Sequence, residues 1–284
     1  MKPFEYFAPQ TLHEAIEILA AYDGDARAIA GGTDLLLKMK LGEAAPKAVV
    51  NIKRISDLRC HEFNSHLTLG ALTTLEDIRR SPLIREHAPA LAAAASTMAS
   101  VQIRNLATLG GNLCTAAPSA DLGPILIALD AVAWIAGPSG ERRVALDSFF
   151  LGPGATVLAP GELLVAVEVP RPTGPALYLK HMPRASMDIA VVGVGLALQL
   201  NAGRCESARV VLGAVAPQPL RARHAEDELI GGPLDPDRIV RAAKIAAGES
   251  KPIDDVRSSA WYRRQMVEVL TRRGLMALTG NGSN

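Results

Sequence analysis

Apolar residues recur at three- to four-residue spacing behind Thr11-Leu12-His13-Glu14, at Leu12, Ala15, Ile16 and Leu19. That is the period of an amphipathic helix, and Thr11 followed by Glu14 has capping-box spacing. The run Ala26–Ala30 then stops at Gly31-Gly32, as a short strand ending in a tight turn does. Leu35–Leu41 predicts a helix halted by Gly42, and Lys47–Ile52 predicts a strand. This opening stretch reads as a small β-α-β layer.

His66–Leu72 predicts a strand, and Thr73-Thr74-Leu75-Glu76 opens a helix, again with capping-box spacing. Pro82 and Pro89 divide the helical region that follows, and Ala90–Ser100 reads as a helix of small residues. Asn105–Asn112 reads as a second glycine-bearing loop, and Leu122–Leu129 as a helix after Asp121. Ala131–Ala136, the turn Gly137-Pro138-Ser139-Gly140 and Arg142–Leu146 form a hairpin pattern, and Leu163–Val169 is a further strand. Three prolines and a glycine in Pro170–Pro175 mark a linker. Beyond it Leu177–His181, Asp188–Leu200 and Ala208–Val215 predict strands, and from Arg223 the pattern turns helical, including Asp237–Ala247 and Ser259–Leu278.

Composition narrows the class. A chain of 284 residues has room for one large domain or two to three small ones, at roughly 100–200 residues each. An apolar share of 49% argues against disorder. Thirty basic and 29 acidic residues leave a net charge of +1, too little to attract a polyanion, so nucleic acid is not an expected partner. The longest apolar runs, Ile125–Ala136 (broken by Asp130) and Ile189–Leu198, fall short of the ~20 residues that span a bilayer. Cys60, Cys114 and Cys205 are dispersed, with no CxxC spacing, so neither a disulfide framework nor a metal site is expected. Glu5 stands where a signal peptide needs apolar residues. A soluble cytoplasmic protein with no membrane span is the expectation.

Candidate chemistry lies in two loops, Ala30-Gly31-Gly32-Thr33-Asp34 and Thr108-Leu109-Gly110-Gly111-Asn112. Glycine lets the backbone take positive φ and lets a ligand come close, and successive N–H groups in such turns converge on anions. Two of them from separate segments suit a pyrophosphate. Taken singly, each Gly-Gly reads as well as a turn between packed elements, and the residues alone leave both readings open. GxGxxG, GxxxxGK[ST] and GxSxG are all missing. His61 and His66 are five apart, which does not fit the zinc-protease spacing of four; Phe63–Leu69 reads more like a strand, and the segment as a solvated polar connection. Cys114 has no base close in sequence and reads as a packed thiol.

The ordered set of motifs resembles the FAD-binding medium subunit of the molybdenum hydroxylases, the xanthine dehydrogenase and carbon monoxide dehydrogenase family. The first fingerprint is Ala28–Leu36; the second runs from Gln102-Ile103-Arg104-Asn105 through Thr108–Asn112 to Ala117–Asp121. Glu162-Leu163-Leu164, Lys180 with Arg184, Asp188-Ile189-Ala190 and Asp255–Arg263 complete it. The resemblance covers essentially the whole chain.

It implies an α+β chain with a PCMH-type FAD-binding fold of two subdomains, 1–55 and 56–175, followed by a C-terminal domain, 176–284, of a small antiparallel sheet and helices. It carries non-covalent FAD onto Ala28, Ile29, Ala30, Gly31, Gly32, Thr33, Asp34 and Leu35, onto Thr108, Leu109, Gly110, Gly111 and Asn112, and onto Asp121, Leu164 and Lys180. Asp121 would accept from a ribose or adenine donor, where the residues alone read it as a helix cap. Lys180 would face the flavin pyrimidine, where they read a solvated strand lysine. No catalytic side chain and no metal ligand is implied in this chain. [2Fe-2S] clusters belong to a small subunit and molybdopterin to a large one, in a dimer of heterotrimers that passes electrons through FAD to an external acceptor. Three scattered cysteines cannot ligate the extra [4Fe-4S] cluster of the hydroxybenzoyl-CoA reductase branch. A stand-alone FAD oxidase and a scaffold without FAD stand as the alternatives.

Overall fold

The computed structural model describes residues 1–280, so the last four residues of the expected C-terminal domain, 281–284, lie outside it. Three main sheets follow one another along the chain, and a two-stranded ribbon, Phe150–Gly152 with Ala155–Thr156, accompanies the second. Glu5–Phe7, Ala26–Ile29 and Ala48–Asn51 form a parallel sheet with the third strand in the middle. The crossovers are helices Leu12–Ala21 and Leu35–Leu41. Thr11 caps the first, its hydroxyl accepting from the Glu14 N–H at 3.2 Å, while the Glu14 carboxylate reaches back to the N–H of Gln10. Ala15, Ile16 and Leu19 are the face it buries. The second ends on Gly42 in left-handed conformation and buries Met39, leaving Leu36, Leu37 and Leu41 exposed.

The second sheet is antiparallel, ordered His61–Phe63, His66–Gly70, Leu163–Pro170, Val132–Gly137, Gly140–Ala145. Helices between Leu75 and Ala128 share a core with it, built on Leu67, Leu69, Leu91, Leu113, Ile125 and Val167. The polar connection expected between His61 and His66 is exposed but holds more strand than expected. His61–Phe63 is a strand, with His61 opposite Leu69 and Phe63 opposite Leu67. It is an edge strand with little burial, so it shows no alternation to read. The helix expected over Ala90–Ser100 spans Pro89–Ser96, and Ala99 turns left-handed at φ 43°.

The third sheet, also antiparallel, runs Ala176–His181, Val192–Asn201, Arg204–Gly213, Leu220–Arg221. Helices Arg223–Leu229, Pro236–Glu249 and Ala260–Leu278 cover it and bury Val194, Leu196, Val210, Ile239 and Val267. Helix Leu122–Ala128, which precedes the second sheet's hairpin, packs against Val192–Asn201 and Arg204–Gly213 and joins this unit to the rest. Among the described residues no helix is long and apolar enough to cross a membrane.

Candidate functional site

A cleft of about 740 Å³ opens between the parallel sheet and the second unit. Its first wall is the end of strand Ala26–Ile29 and the turn into helix Leu35–Leu41. Ala28, Ile29, Ala30, Gly31, Gly32, Thr33, Asp34 and Leu35 all line it. Two features force glycine into this turn. Gly32 sits at φ +74°, and a Cβ on Gly31 would run into the carbonyl oxygen of Leu106. Leu36 N–H closes onto the Gly32 carbonyl at 3.1 Å and Lys38 N–H onto Asp34 at 3.0 Å. The N–H groups of Gly31, Gly32, Thr33 and Asp34 donate to no group among the described residues. Such a turn is a set of donors waiting for an anion.

The second wall differs from its sequence reading. Thr108–Asn112 is no loop. Thr108 is the N-cap of helix Leu109–Thr115, and both glycines lie in its first turn. The N–H groups there are engaged: Leu109 to Thr73 O (2.9 Å), Gly110 to Ala71 O (2.8 Å), Gly111 to Thr108 Oγ1 (3.1 Å) and Asn112 to Thr108 O (2.9 Å). Gly110 is small because a Cβ would lie 2.9 Å from the Ala71 carbonyl oxygen and 2.8 Å from its Cβ. Thr108, Gly110, Gly111 and Asn112 line the cleft, whereas Leu109 points into the core and is fully buried. Asn112 Oδ1 is buried with no partner, an acceptor left open at the cleft.

A third wall, Gly154–Leu164, was not singled out in the sequence beyond its last three residues, although Pro160-Gly161 signals a turn. Arg142 holds it in place. Its guanidinium donates twice to Glu162, at 2.8 and 2.7 Å, and once to the Val157 carbonyl, while Ala159 N–H donates to Glu162 at 2.8 Å. Leu164 lies in this wall, at a bulge between Leu164 and Ala166. Arg27 and Lys38 add cations at the rim. Cys114 also lines the cleft, but burial pushes its thiol up to about 12, so it offers no thiolate at neutral pH.

Asp121 and Lys180 are not in the cleft wall. They pair with each other across 59 positions, Lys180 Nζ to Asp121 Oδ2 at 3.0 Å, with both side chains buried. Tyr178 Oη donates to the other Asp121 oxygen at 2.7 Å, and Lys180 also reaches the Thr97 carbonyl at 3.4 Å. Burial pushes the Asp121 carboxyl up against the pull of Lys180 and Tyr178, and pushes the Tyr178 phenol well above its ordinary range. Asp121 stands at the N-cap of helix Leu122–Ala128, as the residues alone suggest, but its carboxylate makes no cap bond there, and Lys180 is not a solvated strand lysine. Among the described residues no group of three His, Cys, Asp or Glu side chains is placed to hold a metal ion.

The cleft suits FAD by its own features. It has unpartnered backbone donors for phosphate oxygens, a turn with no space for a Cβ, an orphaned buried acceptor at Asn112, and a volume typical of cofactor sites, roughly 300–1,000 Å³. Comparison with known proteins agrees. Residues 2–172 match the family described as FAD binding domain in molybdopterin dehydrogenase, and residues 177–278 match the CO dehydrogenase flavoprotein C-terminal domain. The glyceraldehyde dehydrogenase medium chain of Sulfolobus acidocaldarius is 32% identical over 271 residues, 95% of this chain and 96% of that one. The carbon monoxide dehydrogenase medium chain of Hydrogenophaga pseudoflava is 33% identical over 276 residues, 96% of each. A solved structure of carbon monoxide dehydrogenase from the same organism, lacking the Mo-pyranopterin moiety, superposes with a TM-score of 0.95 at 34% identity, covering 100% of both chains.

Proposed function

The chain belongs to the family of FAD-binding medium subunits of molybdenum hydroxylases, and from that premise we propose how its residues hold the cofactor and what the complex does with it. It is the FAD-binding subunit of a multi-subunit oxidoreductase, in which the iron–sulfur and molybdenum cofactors belong to other subunits. Within that frame, electrons pass from [2Fe-2S] clusters of a small subunit to FAD here, and on to an external acceptor, in a dimer of heterotrimers. When bound, FAD supplies the capacity to take electrons singly and release them singly or in pairs.

The observation that carries the site assignment is the run of unpartnered N–H groups from Gly31 to Asp34. These donors hold the pyrophosphate. Thr108, Gly110 and Gly111 supply a surface flat enough for close approach, and Asn112 supplies an acceptor to a cofactor N–H or hydroxyl. Ala28, Ile29, Ala30, Leu35 and Leu164 exclude water along the walls. Leu109 acts from beneath, by fixing the helix. Asp121 and Lys180 act as a buried pair that joins helix Leu122–Ala128 to the third sheet, and they reach the cofactor only if its binding opens that pair. The units we assign are 1–55 and 56–175 for FAD and 176–284 for the C-terminal domain. Free thiols at Cys60, Cys114 and Cys205 suit a reducing, cytoplasmic setting.

The purified chain should carry visible flavin absorbance, and denaturation should release it as intact FAD. Flavin that stays with the precipitated chain, or FMN alone, refutes the assignment. The chain without its partners should hydroxylate no substrate; turnover at about 1–10³ per second by an iron- and molybdenum-free preparation would establish a stand-alone oxidase instead.

A further inference from the structure

Glu76 and Arg104 are buried charges outside the lining of the cleft. Glu76 sits on helix Leu75–Arg80. Its Oε2 accepts from Arg104 Nε at 3.0 Å and Arg79 Nε at 3.1 Å, and its Oε1 from Arg79 Nη2 at 2.6 Å. Arg104 spends its remaining reach on backbone, donating from Nη1 to the carbonyls of Met98 (2.8 Å) and Ala99 (2.9 Å). Ala99 is the residue held left-handed at φ 43°. One guanidinium thus fixes both the strained corner at 98–99 and the helix that starts at Leu75.

That corner leads directly into the cleft. After the single turn Val101–Arg104, Leu106 and Ala107 N–H groups close back onto Ile103, at 3.0 and 2.7 Å. The Ala107 carbonyl accepts from Leu75 N–H at 2.9 Å, and Thr74 and Thr108 bridge as an antiparallel pair. Leu106 carries the carbonyl oxygen against which Gly31 is seated, and Thr108 caps the helix holding the other glycine pair. The segment 105–108 is therefore the spacer between the two glycine elements, clamped at one end by Arg104.

We propose that Glu76 and Arg104 are positioning residues that set the spacing between the Gly31-Gly32 turn and the Gly110-Gly111 helix start, and so determine how tightly FAD is held. The inference rests on the reading of this cleft as the FAD site. Arg104 suits the task because a planar guanidinium can serve a carboxylate and two carbonyls at once, which a lysine ammonium cannot do in the same geometry.

The test is a set of FAD titrations of the full chain. Glu76→Gln and Arg104→Gln should each raise the Kd for FAD by about 10–100-fold, the range seen when outer-shell partners of a ligand set are removed. The double variant should be no weaker than the worse single one, because the two act as one unit. Arg104→Lys, which keeps the charge and is the fallback if Arg104→Gln does not fold, should bind more weakly and shift the visible circular dichroism of the bound flavin at saturation. Glu226→Gln is the control for generic destabilisation. Glu226 is an equally buried carboxylate paired with Arg221 (2.5 and 3.1 Å) and Val210 N–H (3.0 Å) in the C-terminal unit. It should leave the Kd within about twofold, as expected of distant independent sites. Wild-type Kd and dichroism in folded Glu76 and Arg104 variants overturn the proposal, as does an equal loss in Glu226→Gln. A wild-type chain that binds no FAD overturns the cleft reading itself, and this inference with it.

Discussion

The two Gly-Gly pairs look alike in sequence and do opposite things with their backbone. Gly31-Gly32 lies in an irregular turn whose N–H groups, through Asp34, have no partner among the described residues. Gly110-Gly111 lies in the first turn of a helix whose N–H groups are already satisfied by Ala71, Thr73 and Thr108. Gly31, Gly32 and Thr33 are half-buried and Asp34 is exposed, so these donors face the open cleft, where solvent or a ligand can meet them. The donors of the second pair are engaged, and its glycines serve closeness: Gly110 to Ala71 and Gly111 as bare surface in the cleft wall. The first pair offers chemistry, and the second offers shape.

If so, the largest loss should come from Gly31→Val. Its side chain would meet backbone, the Leu106 carbonyl, and backbone cannot rotate away as a side chain can. We expect the turn to be displaced, flavin to be absent from the purified protein, and stability to fall by about 3 kcal/mol or more, the upper range for overpacking. Flavin content and a denaturant melt check both. Full flavin occupancy would show that the turn binds nothing.

Gly32 breaks differently. Its φ of +74° disfavours any side chain, and a Cβ would also press on Ile29 and Leu36 at 3.1 Å, which are side chains that can yield. Gly32→Val should cost about 1–2 kcal/mol for the left-handed conformation and most of the flavin. Gly32→Asn should retain more, since Asn is among the residues that tolerate this region. Equal flavin loss in both would mean that side-chain bulk, and not φ, is what matters there.

Acid should sharpen the contrast further. Arg79 and Arg104 hold the Glu76 carboxyl at about 2, below its usual 4.5. A depressed carboxyl stabilises the fold fully above its unfolded pKa, and that contribution is lost as pH falls through the folded value. From pH 4.5 towards 2, wild type should therefore lose stability that Glu76→Gln never had, and the gap between their urea midpoints should narrow. The spacer behind Gly31 loosens with it, whereas the bonds around Gly110 are neutral and should persist. A gap that stays constant over that interval would show that Glu76 gains nothing from its arginines.

Much of this was legible in one dimension, and what was not has a common cause. Helix Leu35–Leu41 could be read because its stop, Gly42, adjoins it, and the capping at Thr11 because Glu14 lies one turn away. The second cap was legible only to within a residue: Thr74 with Asp77 forms the box, not Thr73 with Glu76. Glycine has poor helix propensity, so Gly110-Gly111 reads as a loop; what makes it a helix start is Ala71, distant in sequence. The reason for Gly31 lies at Leu106, and the partner of Asp121 at Lys180. The sequence marks where a residue type is unusual. The cause, when it is a contact between distant segments, becomes visible only in three dimensions.

The smallest effect should come from Gly111→Ala, and it is the sharpest division between the two pairs. Gly111 has helical backbone with no positive φ, so alanine meets no conformational penalty there. Replacing a helical glycine by alanine gains up to about 1 kcal/mol. Against that, the new methyl would sit 3.0 Å from Thr108 Oγ1, a tight contact with a hydroxyl that can shift by a few tenths of an ångström. The two should nearly cancel, leaving stability within about 0.5 kcal/mol of wild type. Apart from its own helix turn, no other described residue comes within 4 Å of that methyl, which adds bulk to the cleft wall that Gly111 lines. FAD should still bind, weaker by about tenfold or less, the lower end of what one methyl changes in a pocket. A complete loss of flavin from a folded Gly111→Ala chain would mean that the cofactor lies directly against this wall with no room for a methyl, so that the second pair decides binding as strictly as the first.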